Sequence, residues 1–278
     1  MKHRLGQSAK YLFLWLFVII SLIPFLSMIS TSFSQAMYEL PYPPKILPDS
    51  VNFSNYVKVI EEDNFLRYFV NSVFLATVVT ACVLLISSMS AYGFARFDFP
   101  FKKLIFNLYL FTMMVPGVLN LIAQYSVISG MHLVNTYTGI LLLMVGGGIA
   151  GNTFFLRGFF ENIPHELEES VIIDGGGRWC VFWHIILPLS KPSLGTLGIM
   201  VFSGIWSDFF TVLTFIKDSD KWTLPVALQL LRGEHATEWG TVMAASVLLF
   251  IPELIMFIIV QKKSCSVRGR RRRREGLR

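Results

Sequence analysis

The sequence has few charged residues and few groups that could support covalent or metal chemistry. Charged residues make up 15% of its 278 positions, whereas soluble domains contain roughly 25%. The three cysteines, Cys82, Cys180 and Cys265, lie far apart, and no CxxC motif or His/Cys ligand spacing occurs. These absences argue against a soluble domain, a disulfide framework and a zinc site.

Nucleotide and peptidase motifs are also missing. Neither G-x-x-x-x-G-K-[ST] nor H-E-x-x-H occurs, so the chain has no recognisable means of hydrolysing ATP itself. A membrane-embedded enzyme would need clustered acids, bases or metal ligands, and the apolar segments offer only Asp208 and Glu253. We therefore expect a protein that is not an enzyme and that holds no metal or cofactor of its own.

One glycine motif does occur, as GGGIAG at Gly146–Gly151. A dinucleotide site of the form G-x-G-x-x-G would need a preceding strand and a following helix within a βαβ unit. These glycines lie instead inside an apolar segment. Gly147 and Gly151 fit the small-xxx-small spacing that lets membrane helices approach closely, so we predict a packing role.

Long apolar runs dominate the chain, which is 54% hydrophobic. Each run is close to the ~20 residues needed to cross the hydrocarbon core of a bilayer. The six runs occupy residues 11–31, 68–89, 104–128, 137–156, 194–216 and 242–260. We therefore predict an all-α polytopic membrane protein with six transmembrane helices. A cleaved signal peptide is the alternative for the first run, but signal cores span only about 7–15 residues and no clear A-x-A site follows.

Lys and Arg are distributed unevenly between the two sides of these segments. Eighteen of the 24 fall on the side of the amino terminus, and the six apolar runs contain none. The positive-inside rule then places residues 1–10 and the basic tail, 262–278, in the cytoplasm. Residues 32–67 become an extracytoplasmic loop, and residues 68–261 form the predicted core. We interpret the basic tail as favouring cytoplasmic retention, with no nucleic-acid partner.

A polar stretch at residues 157–192 separates the fourth and fifth predicted spans. Pro164 suits the first position of a helix, Leu167 and Val171 share one face, and the glycines after Asp174 end the helix. A second helix is predicted by apolar residues at i, i+3, i+4 and i+7, namely Trp179, Phe182, Trp183 and Ile186. A helix pair with an apolar stripe and an acidic rim indicates a docking site for a partner protein.

Within this stretch, Glu169-Ser170-Val171, Asp174-Gly175 and the later I-x-L-P of Ile185–Pro188 resemble the EAA loop of ABC importer membrane subunits. The flanking RGFFENIPHELEE and FWHIILPLSKP are similar to the carbohydrate-uptake branch, specifically its maltose permease G-type half. Colinear similarities occur at Asn71–Val79, Ser90–Pro100, Thr112–Gly117, Asn135–Leu142 and Trp206–Phe209. The chain departs from the usual E-A-A-x-x-D-G-A pattern at three positions, Ser170, Val171 and Gly176, and its basic tail also differs from the family's ending.

The resemblance implies a type I ABC importer permease fold in which the stretch 157–192 is an EAA coupling helix pair that docks on a separate ATPase. The implied coupling residues are Leu167, Glu168, Glu169, Ser170, Val171, Asp174, Gly175 and Gly176. Among them, Glu169 would make a polar contact with the ATPase, Gly175 would form the turn, and Leu167 and Val171 would supply apolar docking. Three residues, Trp206, Asp208 and Phe209, would lie in the translocation path or at a subunit contact.

The resemblance also implies the partners and the location. These are a second permease subunit, two copies of a cytoplasmic ABC ATPase that binds ATP and Mg²⁺, an extracytoplasmic solute-binding protein and membrane lipid. The location would be a prokaryotic cytoplasmic membrane, crossed several times, with both termini in the cytoplasm. The implied function is ATP-driven import of a sugar or oligosaccharide by alternating access.

Some alternatives remain open at this stage. The same fold could serve another solute, such as glycerol phosphate or a polyamine, although the absence of Lys and Arg from the spans favours a neutral solute. Asp208 could line a polar path or contact a subunit, or a neighbouring N–H or hydroxyl could simply satisfy its charge. The kinks expected at Pro24, Pro116 and Pro252 could serve movement or be static.

Overall fold

The computed structural model describes residues 2–35, 38–48, 50–61, 64–231 and 237–275, with side chains described between residues 10 and 259 except residue 118. No strand occurs in these ranges, so the expectation of an all-helical chain is confirmed for them. The last three residues of the predicted basic tail lie outside the described residues, as do the side chains of the rest of that tail.

Thirteen helices occur in the described ranges. They are α1 Lys2–Ser32, α2 Ser54–Glu61, α3 Phe65–Arg96, α4 Lys102–Met114, α5 Leu121–Gly130, α6 Tyr137–Glu161, α7 Glu166–Ile173, α8 Arg178–Val181, α9 Leu187–Leu189, α10 Lys191–Trp206, α11 Phe210–Phe215, α12 Leu224–Leu230 and α13 Trp239–Glu275. A π-helical turn, Phe182–Ile186, joins α8 to α9.

The chain divides into two compact units, residues 1–69 with 224–252 and residues 70–223 with 253–278. In the first unit, the buried amide of Asn55 donates hydrogen bonds to the carbonyls of Ser32 (3.0 Å) and Ser34 (2.8 Å). Lys58 forms an ion pair with Glu238, with Nζ 2.6 Å from Oε2. These contacts hold α2 against the end of α1 and the start of α13.

The second unit has its core where several helix ends meet. Ala91 and Tyr92 of α3 pack there with Leu156 and Phe160 of α6 and with Phe182 of the π-helical turn. The same core receives residues from α8 and α10. One end of α3 is therefore fixed against the segment that follows α6.

Four helical segments in the described residues are long and apolar enough to cross a membrane, namely Lys10–Ser32, Phe65–Arg96, Tyr137–Glu161 and Trp239–Ile259. The described residues contain a fifth such segment only if the helices on either side of Ser190, which meet at 75°, are counted as one bent span. Several membrane-length helices therefore agree with a multi-pass protein, while the count of six spans stays a prediction.

Two of the predicted spans are interrupted. The run 104–128 contains α4, a break at Pro116, a 3₁₀ turn over Gly117–Asn120 and then α5. The run 194–216 is divided between α10 and α11. Proline lacks the N–H that would continue the helix, which explains the first break, whereas Pro24 and Pro252 are accommodated inside continuous helices.

Neither Pro188 nor Pro192 ends a helix at its own position. Pro188 lies within α9, and the chain bends at Ser190. Pro192 then occupies the first turn of α10. Proline is accommodated in a first turn because the N–H groups there have no intrahelical partner to lose.

The glycine motif lies in the middle of α6, as the packing prediction requires, but a different glycine makes the closest approach. A Cβ on Gly148 would lie 2.8 Å from Cγ2 of Val83 in α3, whereas a Cβ on Gly147 would meet nothing within 4 Å. A Cβ on Gly151 would lie 3.6 Å from Cε of Met113. The predicted Gly147–Gly151 pair is therefore wrong for Gly147.

We predict that Gly148→Val destabilises the protein because the added methyl groups would displace Val83 from α3. Overpacking of this kind costs about 1–3 kcal/mol, measurable as a lower midpoint of thermal unfolding in detergent. Gly146→Val is the matched control, since a Cβ there meets nothing within 4 Å. Equal losses in the two variants would contradict close packing at Gly148.

Candidate functional site

The candidate coupling segment begins with α7, which starts at Glu166 and not at Pro164 as predicted. Its first turn carries Glu166, Glu168 and Glu169. Acidic side chains are favoured there because the unpaired N–H groups give that helix end a partial positive charge. These acidic residues therefore mark the start of α7 in the sequence, two residues after Pro164.

The end of α7 has the geometry of a Schellman motif. The N–H of Gly175 donates to the carbonyl of Ile172 (3.0 Å), and the N–H of Gly176 donates to the carbonyl of Val171 (2.8 Å). Gly175 has a φ of 83°, a left-handed conformation that glycine adopts without steric cost. The turn predicted after Asp174 is confirmed, together with its chemical reason.

Two departures from the EAA pattern lie against each other in this turn. A Cβ on Gly176 would lie 2.6 Å from Cγ1 of Val171 and 2.8 Å from its carbonyl oxygen. The larger Val171 side chain therefore occupies space that an alanine at position 176 would need. The side chain of Val171 therefore contributes part of the close contact at Gly176, and the backbone carbonyl of the same residue contributes the rest.

We predict that Gly176→Ala lowers the free energy of unfolding and that Val171→Ala relieves part of this loss. Contacting residues in double-mutant cycles show interaction energies of roughly 0.5–3 kcal/mol. The two single variants and the double variant should be compared by chemical unfolding in detergent. Strictly additive losses would show that the side chain of Val171 does not crowd an added Cβ at position 176.

The predicted coupling residues divide between the surface and the interior. Leu167, Glu169, Ser170, Asp174 and Gly175 are exposed, and Val171 is half-buried against the core. The hydroxyl of Ser170 donates to the carbonyl of Leu167 (2.9 Å), so this departure from alanine is satisfied within its own helix.

Ile172 and Ile173 are exposed apolar residues that the sequence reasoning did not select. Ile173 is 84% exposed and Ile172 is 42% exposed, equal to Leu167. The sequence feature that could have identified them is the run of three β-branched residues, Val171–Ile173, at the end of an acidic helix. These side chains extend the apolar surface of α7 towards Gly175.

Glu168 does not lie on the surface that was expected to meet a partner. It forms an ion pair with Arg96, the last residue of α3, and the two side chains are 4% and 2% exposed. Removing one member of such a buried pair costs roughly 3–5 kcal/mol because the other charge is left unpaired. Glu168 is therefore an interior residue of this segment, and its place among the implied coupling residues stays a prediction.

Arg96 was missed by the sequence reasoning, although it follows the apolar run 68–89 closely and the acidic α7 begins 70 residues later. Its Nη2 donates to the carbonyl of Ile163 (2.6 Å), and its Nη1 lies 3.4 Å from Nε2 of His165. Spacing along the chain could not identify this partner, because the contact joins two helices across the fold.

The predicted stripe on the second coupling helix is split. Phe182 and Ile186 are fully buried in the core, whereas Trp179 and Trp183 are 62% and 51% exposed. At 100° per residue, Phe182 and Ile186 lie on one edge of this stripe and Trp179 and Trp183 on the other, and it is the first edge that faces the core. The exposed tryptophans add aromatic surface next to α7.

The second candidate site is a cavity of about 510 Å³ in the unit that contains residues 70–223. Its polar lining includes Gln124, Asp208 and Thr211, and much of the remainder is glycine, methionine and branched aliphatic residues. Asp208 is the one charged residue among those described as lining it. A small polar solute could therefore contact amide, hydroxyl and carboxylate groups here.

Asp208 occupies the break between α10 and α11. Its Oδ1 accepts from the N–H of Thr211 (2.9 Å), and its Oδ2 accepts from the hydroxyl of Thr211 (2.7 Å). The two readings of Asp208 are therefore compatible, because a locally satisfied carboxylate also lines the cavity. Trp206 is buried and stacks on Phe202 at 5.7 Å, and neither Trp206 nor Phe209 is among the lining residues.

Several membrane-length helices, with a cavity beside a helix break, agree with a membrane transport component. The chain belongs to the family of binding-protein-dependent transport system inner membrane components, whose profile matches residues 83–263. The resemblance to ABC importer permeases is thereby confirmed. Members of this family are transport components, which agrees with the expectation that the chain is not an enzyme.

Two relatives and one solved structure are informative. The chain is 34% identical to the trehalose/maltose transport system permease protein MalG of Thermococcus litoralis, covering 89% of both chains. It is 30% identical to the diacetylchitobiose uptake system permease protein NgcG of Streptomyces coelicolor, covering 92% of this chain and 84% of that one. A bacterial ABC transporter involved in alginate import has the same fold, with a TM-score of 0.80, 23% identity and coverage of 93% and 96%.

Proposed function

We propose that the chain is one permease half of an ATP-driven importer of a sugar or oligosaccharide. The observation that supports this proposal most directly is the match of residues 83–263 to the inner membrane component family. The two relatives described above are named for trehalose or maltose and for diacetylchitobiose. A saccharide is therefore favoured over the alternative solutes, glycerol phosphate and polyamine.

The coupling segment supplies the input of energy in this proposal. α7 presents Leu167, Ile172 and Ile173 to solvent, with Glu169 beside them. An apolar surface with a charged neighbour suits a groove on a cytoplasmic ABC ATPase, where the apolar area provides affinity and the charge provides register. Two such ATPase copies would bind ATP and Mg²⁺, and this chain would hold no cofactor.

The transport step would be a rigid-body rearrangement of helices that follows closure of the ATPase pair. An extracytoplasmic binding protein would deliver the solute, and a second permease subunit would complete the path. The cavity that contains Gln124, Asp208 and Thr211 is the candidate part of that path in this half. The chain would cross a prokaryotic cytoplasmic membrane six times, with both termini in the cytoplasm.

The cavity lining argues against an anionic solute. Asp208 is its one charged member among the described residues, and no Lys or Arg is among them. An anionic solute such as glycerol phosphate would meet an uncompensated like charge, which is unfavourable away from water. A neutral saccharide can instead form hydrogen bonds with the amide of Gln124 and the hydroxyl of Thr211.

We predict that Gly175→Val abolishes solute uptake while the protein remains in the membrane. A β-branched residue at a φ of 83° is strained, so the turn after α7 would reorganise and displace the docking surface. The measurement is uptake of radiolabelled maltose, trehalose and chitobiose by cells that carry the complete transporter. Gly177→Val is the matched control, because Gly177 has a φ of −82° and open space around its Cβ position. Normal uptake by the Gly175 variant would contradict the coupling role.

We also predict that the purified chain alone hydrolyses no ATP, because it contains no phosphate-binding loop. Phosphate release should appear only when the cytoplasmic ATPase is added. A variant of that ATPase without its phosphate-loop lysine is the control for contaminating activity. Turnover by the isolated permease would overturn the proposed division of labour.

A further inference from the structure

The buried pair of Arg96 and Glu168 lies where the coupling segment meets a membrane-length helix. Three interactions converge on the guanidinium of Arg96: the carboxylate of Glu168, the carbonyl of Ile163 and the ring of His165. All three partners belong to the six residues that lead into and begin α7. Arg96 itself is the last residue of α3. The contact therefore joins two elements that are distant in sequence.

The position of α7 must be set by such contacts. A helix of eight residues is too short to be stable or rigid by itself in water. Its half-buried Val171 packs against the core, but apolar contacts have little directional preference. The planar guanidinium, by contrast, fixes the direction of each group that it binds. Arg96 therefore determines where Glu168, and with it α7, lies relative to α3.

α3 also reaches the candidate cavity. Val83 lines that cavity and is the residue against which Gly148 of α6 packs. It lies in the same uninterrupted helix as Arg96, roughly 20 Å away at 1.5 Å per residue. A displacement of the end of α3 would therefore be carried along the helix axis to the cavity wall.

We propose that Arg96 is a positioning residue for transport, whose buried pairing with Glu168 transmits the displacement of the coupling segment to α3. The proposal rests on the proposed function, because it needs α7 to be moved by an ATPase. It adds the route by which this chain transmits the motion. Loss of the pair would separate ATP hydrolysis from solute movement without removing either partner of the docking contact.

The test uses the complete transporter in proteoliposomes with its binding protein and maltose, trehalose or chitobiose as the probe. The readout is the number of ATP molecules hydrolysed per solute imported. The central variant is the double change Arg96→Met with Glu168→Gln, which removes both charges and leaves no unpaired ion in the interior. We expect near-normal ATP hydrolysis and roughly a tenfold rise in ATP used per solute, within the range of measured coupling effects.

Two further variants separate positioning from simple charge neutralisation. Arg96→Lys keeps the charge but cannot reproduce the planar, multiply bonded contact, so we expect an intermediate rise in the ratio. Lys102→Met is the matched control. Its ion pair with Asp98 (3.2 Å) joins residues four positions apart and does not involve α7. The ratio should be unchanged in this control.

The outcomes distinguish this proposal from the proposed function. Normal uptake by Gly175→Val would contradict docking through α7 and both proposals with it. Loss of uptake in that variant, with a normal ratio in the Arg96 variants, would overturn the role of Arg96 alone. Failure of the double variant to assemble, together with a normal ratio in Arg96→Lys, would assign the pair to folding and overturn the proposal.

Discussion

The structure depends on one constraint, which is that a bilayer offers no hydrogen-bond partner to a peptide N–H or C=O group. Long helices satisfy this constraint over most of the apolar sequence. At two helix starts, the side chain of a specific residue accepts from an N–H group that has no partner within the helix. Asp208 binds the N–H and hydroxyl of Thr211 at the break after α10, and Thr136 accepts from the N–H of Gly139 at the start of α6. The candidate cavity occurs beside the first of these two helix starts.

The candidate coupling segment shows how burial separates residues that are adjacent in sequence. Glu168 points into the interior and pairs with Arg96, whereas its neighbours Leu167 and Glu169 are exposed. This arrangement gives the two glutamates different physical roles. Glu168 fixes α7 to the end of α3, and Glu169 remains available to a partner. The acidic residues of α7 therefore do not share one physical role.

The departures from the EAA pattern also acquire a physical meaning. Val171 and Gly176 contact each other, and the hydroxyl of Ser170 is satisfied within α7. The three substitutions therefore preserve the helix and its Schellman turn without the usual alanines.

The sequence by itself determined the helical class, the membrane-length runs, the turn at Gly175 and the family, because these follow from local composition and from residues close together in the chain. It did not reveal the role of Arg96, the interior position of Glu168 or the close packing at Gly148. Those depend on which helices meet, and a contact across 72 positions leaves no periodic signal. The sequence likewise did not reveal which edge of the stripe on the second helix faces the core, where Phe182 and Ile186 are buried and Trp179 and Trp183 are exposed. Only tertiary packing decided which polar and aromatic side chains were removed from solvent.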